Sequence, residues 1–234
     1  VGQNWDNDPE LDRFLLVLTR RPNDKPSFIT LTTPGIAAYI GLNEAGLALC
    51  MNALPGDCSD TGVPWYFSVR GVLESRSIDE VRTAIVAGER ARSGNLTLMT
   101  PEGAVDFEVH TNVIKELKPD SEGRLVHTNH CLHSDLEHVN DEQREFLYGQ
   151  TFDRLERANS LFANIQGAIS VDDIMQMLSD HAGGPTSICR HPNNDPNIGW
   201  QRSVVSVVMV PGLREMFITR GNPCERTYEK YLLN

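Results

Sequence analysis

The sequence predicts an α+β fold: two mainly antiparallel sheets face to face between outer helix layers, a four-layer αββα sandwich. Three observations carry this. Short strand-like runs come in series joined by turn-length links, as antiparallel neighbours are. Helical patterns come in two pairs set between strand series, giving the order strands, two helices, strands, two helices, strands. No composition shift, repeat or low-complexity segment divides the 234 residues, so one domain over 1–234 is expected, long enough for a sizeable core.

Gly2–Asp6 (GQNWD) reads as a polar turn with one Trp. Phe14–Thr19 and Ser27–Thr32 are β-rich runs, linked by the Pro- and Asn-containing Arg20–Pro26, and pair as a hairpin. Ile36–Leu42 and Leu47–Asn52 follow, joined tightly by Asn43-Glu44-Ala45-Gly46. Leu54–Gly62 is a loop, and Trp65–Glu74 a packed helix with Pro64 at its start. Ser77-Ile-Asp-Glu80 is a capping box, and Ile78, Val81, Ile85 and Val86 give the helix behind it one apolar face. The second strand series is Asn95–Thr100, Ala104–His110, Asn112–Leu117 and Leu125–Thr128. Asn140–Asn164 is the longest helical pattern, with Phe146, Leu147, Phe152, Leu155, Leu161 and Phe162 on its apolar face. Ser170 caps a further helix that ends near Gly183-Gly184. After the long loop Pro185–Trp200, Ser203–Val210 and Glu215–Thr219 form a last hairpin.

The totals exclude some functions. Lys plus Arg is 21 and Asp plus Glu is 32, so the net charge is 21 − 32 = −11. An acidic chain without a basic run is a poor nucleic-acid partner, because phosphate contacts need clustered cations. No apolar run is long enough for a bilayer helix and no signal-peptide pattern opens the sequence, so no membrane partner is expected. Five scattered cysteines, an odd number, argue against a disulfide framework and for a reducing, cytoplasmic location.

The stretch that concentrates chemistry is Arg124–His133, RLVHTNHCLH, an apolar run leading into polar residues. Three readings compete. His127, His130 and His133, with Cys131 among them, suggest a metal. Threefold spacing gathers imidazoles only on a helix, however, and no second cluster closes a tetrahedral set, so no metal and no cofactor is expected. Cys131 could be a nucleophile. Its neighbour His130 points away on extended backbone, so a base such as His181 or His191 would be needed. A lone Cys after an apolar run is ordinarily a small buried residue. The third reading makes Asn129 an amide donor to a developing oxyanion. It gains weight from other single polar groups at the margins of β-runs: Asp6, Asn52 and Arg202. Each alone is commonplace; the set is not. The run Trp65-Tyr66-Phe67 could line an acyl pocket, although ordinary core aromatics on a helix are the favoured reading. His130, beside the donor, is a further candidate for substrate contact.

These stretches resemble the acyl-coenzyme A:6-aminopenicillanic acid acyltransferase family of self-processing N-terminal nucleophile hydrolases. The matches are GQNWD (Gly2–Asp6), GLNEAG running into NAL (Gly41–Leu54), TGVP (Thr61–Pro64), HTNHCL (His127–Leu132), QREFL (Gln143–Leu147), TSICR (Thr186–Arg190) and GNPC (Gly221–Cys224), in order along nearly the whole chain.

The resemblance implies the αββα fold of that class and a catalytic Cys freed at a new N-terminus by self-cleavage. Its thiol attacks an acyl carbonyl with its own α-amine as base. Val1 is not a nucleophile, so the Cys is expected a short way upstream, the present chain being most of the large processed chain without its first strand. By position, Asp6 holds the α-amine, Arg202 stands near the thiolate and lowers its pKa, and Asn129 with the backbone N–H of Asn52 forms the oxyanion hole. The implied activity is hydrolysis of a small N-acyl amide or peptide-like bond through a thioacyl-enzyme. Acyl-CoA-dependent acyl transfer, or a binding module that has lost its nucleophile, are the alternatives. A small-molecule amide and a short processed propeptide are the expected partners, and a homo-oligomer is left open.

Overall fold

The protein is described here by a computed structural model, which covers residues 1–142, 150–185, 187–196 and 198–234. Phe146 and Leu147, expected on the long helix, lie outside these residues, as do the stretch 143–147 and Thr186.

Two antiparallel sheets form the body. Seven strands run in chain order: β2 (Leu16–Arg20), β3 (Phe28–Thr32), β4 (Ile40–Asn43), β5 (Ala48–Cys58), β6 (Arg92–Thr100), β7 (Gly103–Val109) and β8 (Ile114–Leu117). The other sheet has the order β1 (Gly2–Asn7), β9 (Arg202–Val210), β10 (Glu215–Arg220), β11 (Glu229–Leu232). Period-two alternation on β5 decides the layering. Ala48 and Cys50 face a core shared with Val205, Val207 and Met209 of β9, between the sheets. Leu47, Leu49 and Met51 face a second core against α1 (Trp65–Leu73) and α2 (Ile78–Val86). Beyond the smaller sheet lies α5 (Val171–Leu178), close enough to β1 that a Cβ on Gly2 would stand 2.7 Å from Ile174. Helices α3 (Glu137–Glu142) and α4 (Gln150–Ala163) are the other α-helices among the described residues. No helix among the described residues is long and apolar enough to cross a membrane.

Four expectations are corrected. GQNWD is a strand, not a turn: β1 pairs with β9 from Gly2↔Val208 to Asn7↔Arg202. Leu125–Thr128, expected as a strand, joins neither sheet; side-chain hydrogen bonds hold it instead of a ladder. Leu54–Gly62 is a loop only in its second half, since β5 continues to Cys58. At Ser77 the cap is half a box. Its Oγ accepts from Glu80 N, but Glu80 Oε2 accepts from Arg76 N.

Candidate active site

The register of β1 and β9 shifts between Trp5 and Asp6, where Trp5 faces Val205 and Asp6 faces Ser203, leaving Val204 as the extra residue of a β-bulge. Bulges re-aim side chains beside functional sites. Beyond this one, Ser203 Oγ donates to Asp6 Oδ1 at 2.7 Å and accepts from Arg190 N at 3.0 Å. Arg190, with a side chain only 4% exposed, brings its guanidinium Nε to 3.2 Å from Asp6 Oδ2. Nη1 of the same guanidinium donates to Gln201.

Arg202 does not join this group. One position from Ser203 on the strand, it projects from the opposite face and donates to Asp12 Oδ2 at 2.9 Å.

Gln3 and Asn52 face each other across the two sheets. The Gln3 amide accepts from Met51 N and donates to Met51 O, imitating a strand neighbour, and also donates to Asn52 Oδ1 at 2.9 Å. Asn52 Nδ2 donates to Asn95 Oδ1. Behind Asn95 lies a buried network in which Asn95 Nδ2 and Thr97 Oγ1 donate to the two oxygens of Asp106. Burial raises the Asp106 carboxyl above its ordinary value, against the pull of His127 and these two hydrogen bonds.

Asn129 is fixed from both ends. Arg154 Nη2 donates to its Oδ1 at 2.8 Å, and its Nδ2 donates to Ala53 O at 3.1 Å. A guanidinium only donates, so the amide orientation is set and the second Nδ2 hydrogen stays available. Burial lowers the Arg154 pKa, with Asp6 acting to raise it and Arg190 to lower it. Its Nε is buried without a hydrogen-bond partner among the described residues.

The segment carrying Asn129 is held by Glu108, a wholly buried carboxylate on β7. Glu108 accepts from Leu132 N, from His133 N at 3.2 Å and from His127 Nε2 at 3.0 Å. The other ring nitrogen, His127 Nδ1, stands 2.8 Å from Thr128 O. Both nitrogens meet acceptors, which an imidazolium satisfies. Burial opposes that charge, but the Glu108 hydrogen bond and the Asp106 charge outweigh it and raise the pKa. The Glu108 carboxyl is lowered, burial being outweighed by His127 and the two backbone donors. Thr151 of α4 completes the hold, its Oγ1 accepting from Asn129 N.

His130 and His133 do not gather with His127. His130 Nδ1 lies 2.9 Å from Thr151 Oγ1, its ring packs on Phe152, and burial pushes its pKa down to about 4. His133 serves Asp135. The nitrogen nearest Cys131 is neither His181 nor His191 but His110 Nε2, 3.5 Å from Sγ. Burial pushes the Cys131 thiol up to about 12, so it is inert.

Several of these groups border one cavity of about 440 Å³, with Gln3, Asn4, Asp6, Asn52, Arg124, His127, Thr128 and Arg154 among its polar lining. Leu98, Val126, Phe162, Ile174, Met177 and Leu178 are among its apolar walls. Asn129 and Arg190 are not in the lining but contact residues that are, Arg154 and Asp6. Trp65, Phe67 and His130 do not line the cavity: Trp65 packs over Gly94, Phe67 is 60% exposed and His130 is buried beside α4. Gln3, Glu108, Arg154 and Arg190 were not singled out from sequence. Arg190 lay inside the TSICR match, and Glu108 stood with Asp106 as one of two charges in an otherwise apolar strand.

Two facing antiparallel sheets, flanked by helices and with a polar strand end turned into a cavity between elements, define an N-terminal nucleophile hydrolase architecture. Solved structures of that fold superpose on the chain. A penicillin V acylase from Agrobacterium tumefaciens matches with a TM-score of 0.58 and 15% identity, over 94% of this chain and 74% of that one. A Caenorhabditis elegans N-acylethanolamine-hydrolyzing acid amidase ortholog matches with 0.58 and 15%, over 100% and 94%. A variant of conjugated bile acid hydrolase from Clostridium perfringens matches with 0.61 and 11%, over 100% and 88%. The chain belongs to the acyl-coenzyme A:6-aminopenicillanic acid acyl-transferase family, whose model matches residues 1–224. It is 31% identical over 191 residues to the 40 kDa form of the acyl-coenzyme A:6-aminopenicillanic-acid-acyltransferase of Emericella nidulans, covering 81% of this chain. It spans about half of that relative's length, 52%.

Proposed function

We propose that the protein is a cysteine N-terminal nucleophile amidohydrolase that cleaves a small N-acyl amide, its nucleophile lying upstream of Val1 in a longer, self-processed chain. The observation that supports this is that Asp6, Asn52 and Arg154 line one cavity, with Arg190 set against Asp6 and Asn129 against Arg154 just behind its wall. Two guanidiniums against one carboxylate leave local positive charge, which favours a thiolate and an oxyanion over their neutral forms.

In this reading the thiolate sulfur bonds to the acyl carbon and the carbonyl π pair moves to oxygen. The free Nδ2 hydrogen of Asn129 donates to that oxyanion. The Asn52 backbone N–H, expected as a second donor, instead faces Asn95 in the β5–β6 ladder, since Met51 on the alternate position faces Gln3. The α-amine of the nucleophile, held by Asp6, carries the thiol proton to the departing amine as the C–N bond breaks. Water then attacks the thioester, releasing a carboxylic acid and restoring the thiol. Arg190 takes the thiolate-facing role that the resemblance gave to Arg202. The apolar walls suit an apolar acyl chain.

Acyl transfer is the second reading, favoured by the acyltransferase relative. It uses the same thioester with an amine in place of water. The cytoplasm is the proposed location, which the five free cysteines fit. Residues 1–234 are taken as most of the large processed chain, with a short propeptide as partner.

The test is a panel of N-acyl amides given to the full-length protein, with and without an amine acceptor, with intact-mass detection of an acyl adduct. An adduct on an N-terminal Cys supports the proposal. Turnover without any adduct, or an adduct on another residue, refutes it.

A further inference from the structure

The geometry points to a structural metal site, formed by His181, Cys189, His191 and Cys224 and suited to zinc or a similar borderline-soft divalent cation. All four donor atoms lie within 4.8 Å of one another. Cys189 Sγ and Cys224 Sγ are 3.7 Å apart, and His181 Nε2 and His191 Nε2 are 3.0 Å apart. His191 Nε2 stands 3.3 Å from Cys224 Sγ and 3.8 Å from Cys189 Sγ. Metal–sulfur bonds of ~2.3 Å and metal–nitrogen bonds of ~2.0–2.1 Å in a tetrahedron require edges of ~3.8 Å for S–S, ~3.3 Å for N–N and ~3.5 Å for S–N. These four edges fall within about 0.3 Å of those figures, and the two from His181 to the sulfurs are no longer than 4.8 Å, a distance that a turn of the exposed His181 ring closes. Two thiols and two imidazoles brought so close gain little from one another, whereas a cation at their centre satisfies all four.

The surroundings fit ligands. Asn222 Nδ2 lies 3.4 Å from Cys189 Sγ as a donor, an N–H···S contact that stabilises a thiolate. His191 Nδ1 is 3.7 Å from Glu225 Oε1, the carboxylate–imidazole pairing that leaves Nε2 free to bind metal. On binding, both thiols lose their protons to solvent, and the two thiolates neutralise the dication.

The ligands come from three places: the segment after α5, the loop ahead of β9, and the GNPC turn after β10. A cation would therefore staple the 179–200 loop to the end of the smaller sheet. Arg190 lies between two of the ligands, and its own carbonyl accepts from Asn222 Nδ2 at 2.6 Å. The staple thus aims the guanidinium that faces Asp6. The site does not depend on the amide chemistry, whose separate readout is the acyl adduct.

The test uses the full-length protein without a metal-binding tag, grown with added zinc and purified under reducing conditions without chelator. Elemental mass spectrometry is expected to find about one zinc per chain in wild type and almost none in Cys224→Ser and His181→Ala. Glu225→Ala should weaken zinc binding by about 10–100-fold. Cobalt(II) exchanged into wild type should give strong visible ligand-field bands and near-ultraviolet thiolate-to-cobalt bands, a readout that needs no variant to fold. Wild type with no zinc and no cobalt uptake would overturn the site. So would a native Cys189–Cys224 disulfide in non-reducing peptide maps, or folded variants that keep their full zinc.

Discussion

Arg190 Nε stands 3.2 Å from Asp6 Oδ2, while Arg202, beside Asp6's strand partner Ser203, is turned to Asp12 on the other face. The two arginines should therefore behave differently. Removing Arg190 leaves a partly buried carboxylate without its cation, a loss of about 3–5 kcal/mol for a buried pair. Arg202 and Asp12 are partly exposed, at 25% and 34%, where such pairs contribute about 0–1 kcal/mol. Arg190→Ala should lower both melting temperature and kcat/KM, and Arg202→Ala should change each only slightly. Steady-state kinetics and thermal unfolding of the two full-length variants check this. Equal losses would remove the distinction.

Asn129→Ala should leave the fold intact and lower kcat by about 10²–10³-fold, the usual loss for one oxyanion donor. KM should hardly move, because the donor acts on charge that develops in the transition state. Near-wild-type kcat with unchanged circular dichroism would take Asn129 out of the mechanism.

Much of the architecture was legible in sequence. Strands β2 to β10 and helices α1, α2 and α5 announce themselves by apolar periodicity and by caps such as Ser170, whose box with Asp173 is complete. β1 was not legible because its side chains serve the site. Gln3 bonds Met51, Asn4 reaches Leu178 O and Ile188 O, and Asp6 meets Ser203, so a strand reads as polar. Asp6, Asn52 and Asn129 stood out through their motifs. Their partners Glu108, Arg154 and Arg190 lie 19 to 184 residues away from the groups they hold, pairings that only the folded packing of sheets, helix α4 and loops creates. The His181–Cys189–His191–Cys224 cluster is hidden for the same reason, its donors being drawn from three elements.

Cys131→Ala should retain full activity. The side chain is 1% exposed and packs with Leu54 and Leu136, and its thiol is pushed up to about 12. The substitution should cost about 1 kcal/mol of stability from lost packing. Native protein should also protect this thiol from alkylation that readily modifies Cys58, which is exposed. Mass-spectrometric mapping after brief labelling measures that contrast, and rapid labelling of Cys131 would contradict it.

Trp65 acts in packing. Its ring lies over Gly94, where an added Cβ would come within 2.6 Å of it. Gly94→Ala should therefore destabilise the protein by about 1–3 kcal/mol through overpacking. Trp65→Ala should cost about 3–5 kcal/mol without raising KM, since the ring is not in the cavity wall. Denaturant titration and KM measured on both variants test this, and a raised KM at unchanged stability would return Trp65 to the pocket.

The His127–Glu108 pair predicts how stability follows pH. His127 is raised above its ordinary 6.5 in the folded protein, so its contribution is complete below 6.5 and is lost as pH climbs through the folded value. Glu108 is lowered below its ordinary 4.5, so its contribution is complete above 4.5 and is lost as pH falls through the folded value. Together they favour the window between 4.5 and 6.5. Asp106, raised above its ordinary 3.8, works against this, its contribution being complete below 3.8 and lost as pH rises through the folded value. His127→Gln can still donate to Glu108 but carries no charge. Its deficit in melting temperature against wild type should be largest below pH 6.5 and should shrink as pH rises. A deficit that stays constant from pH 5 to pH 9 would mean that His127 is neutral throughout, and that Glu108 holds the Asn129 segment without it.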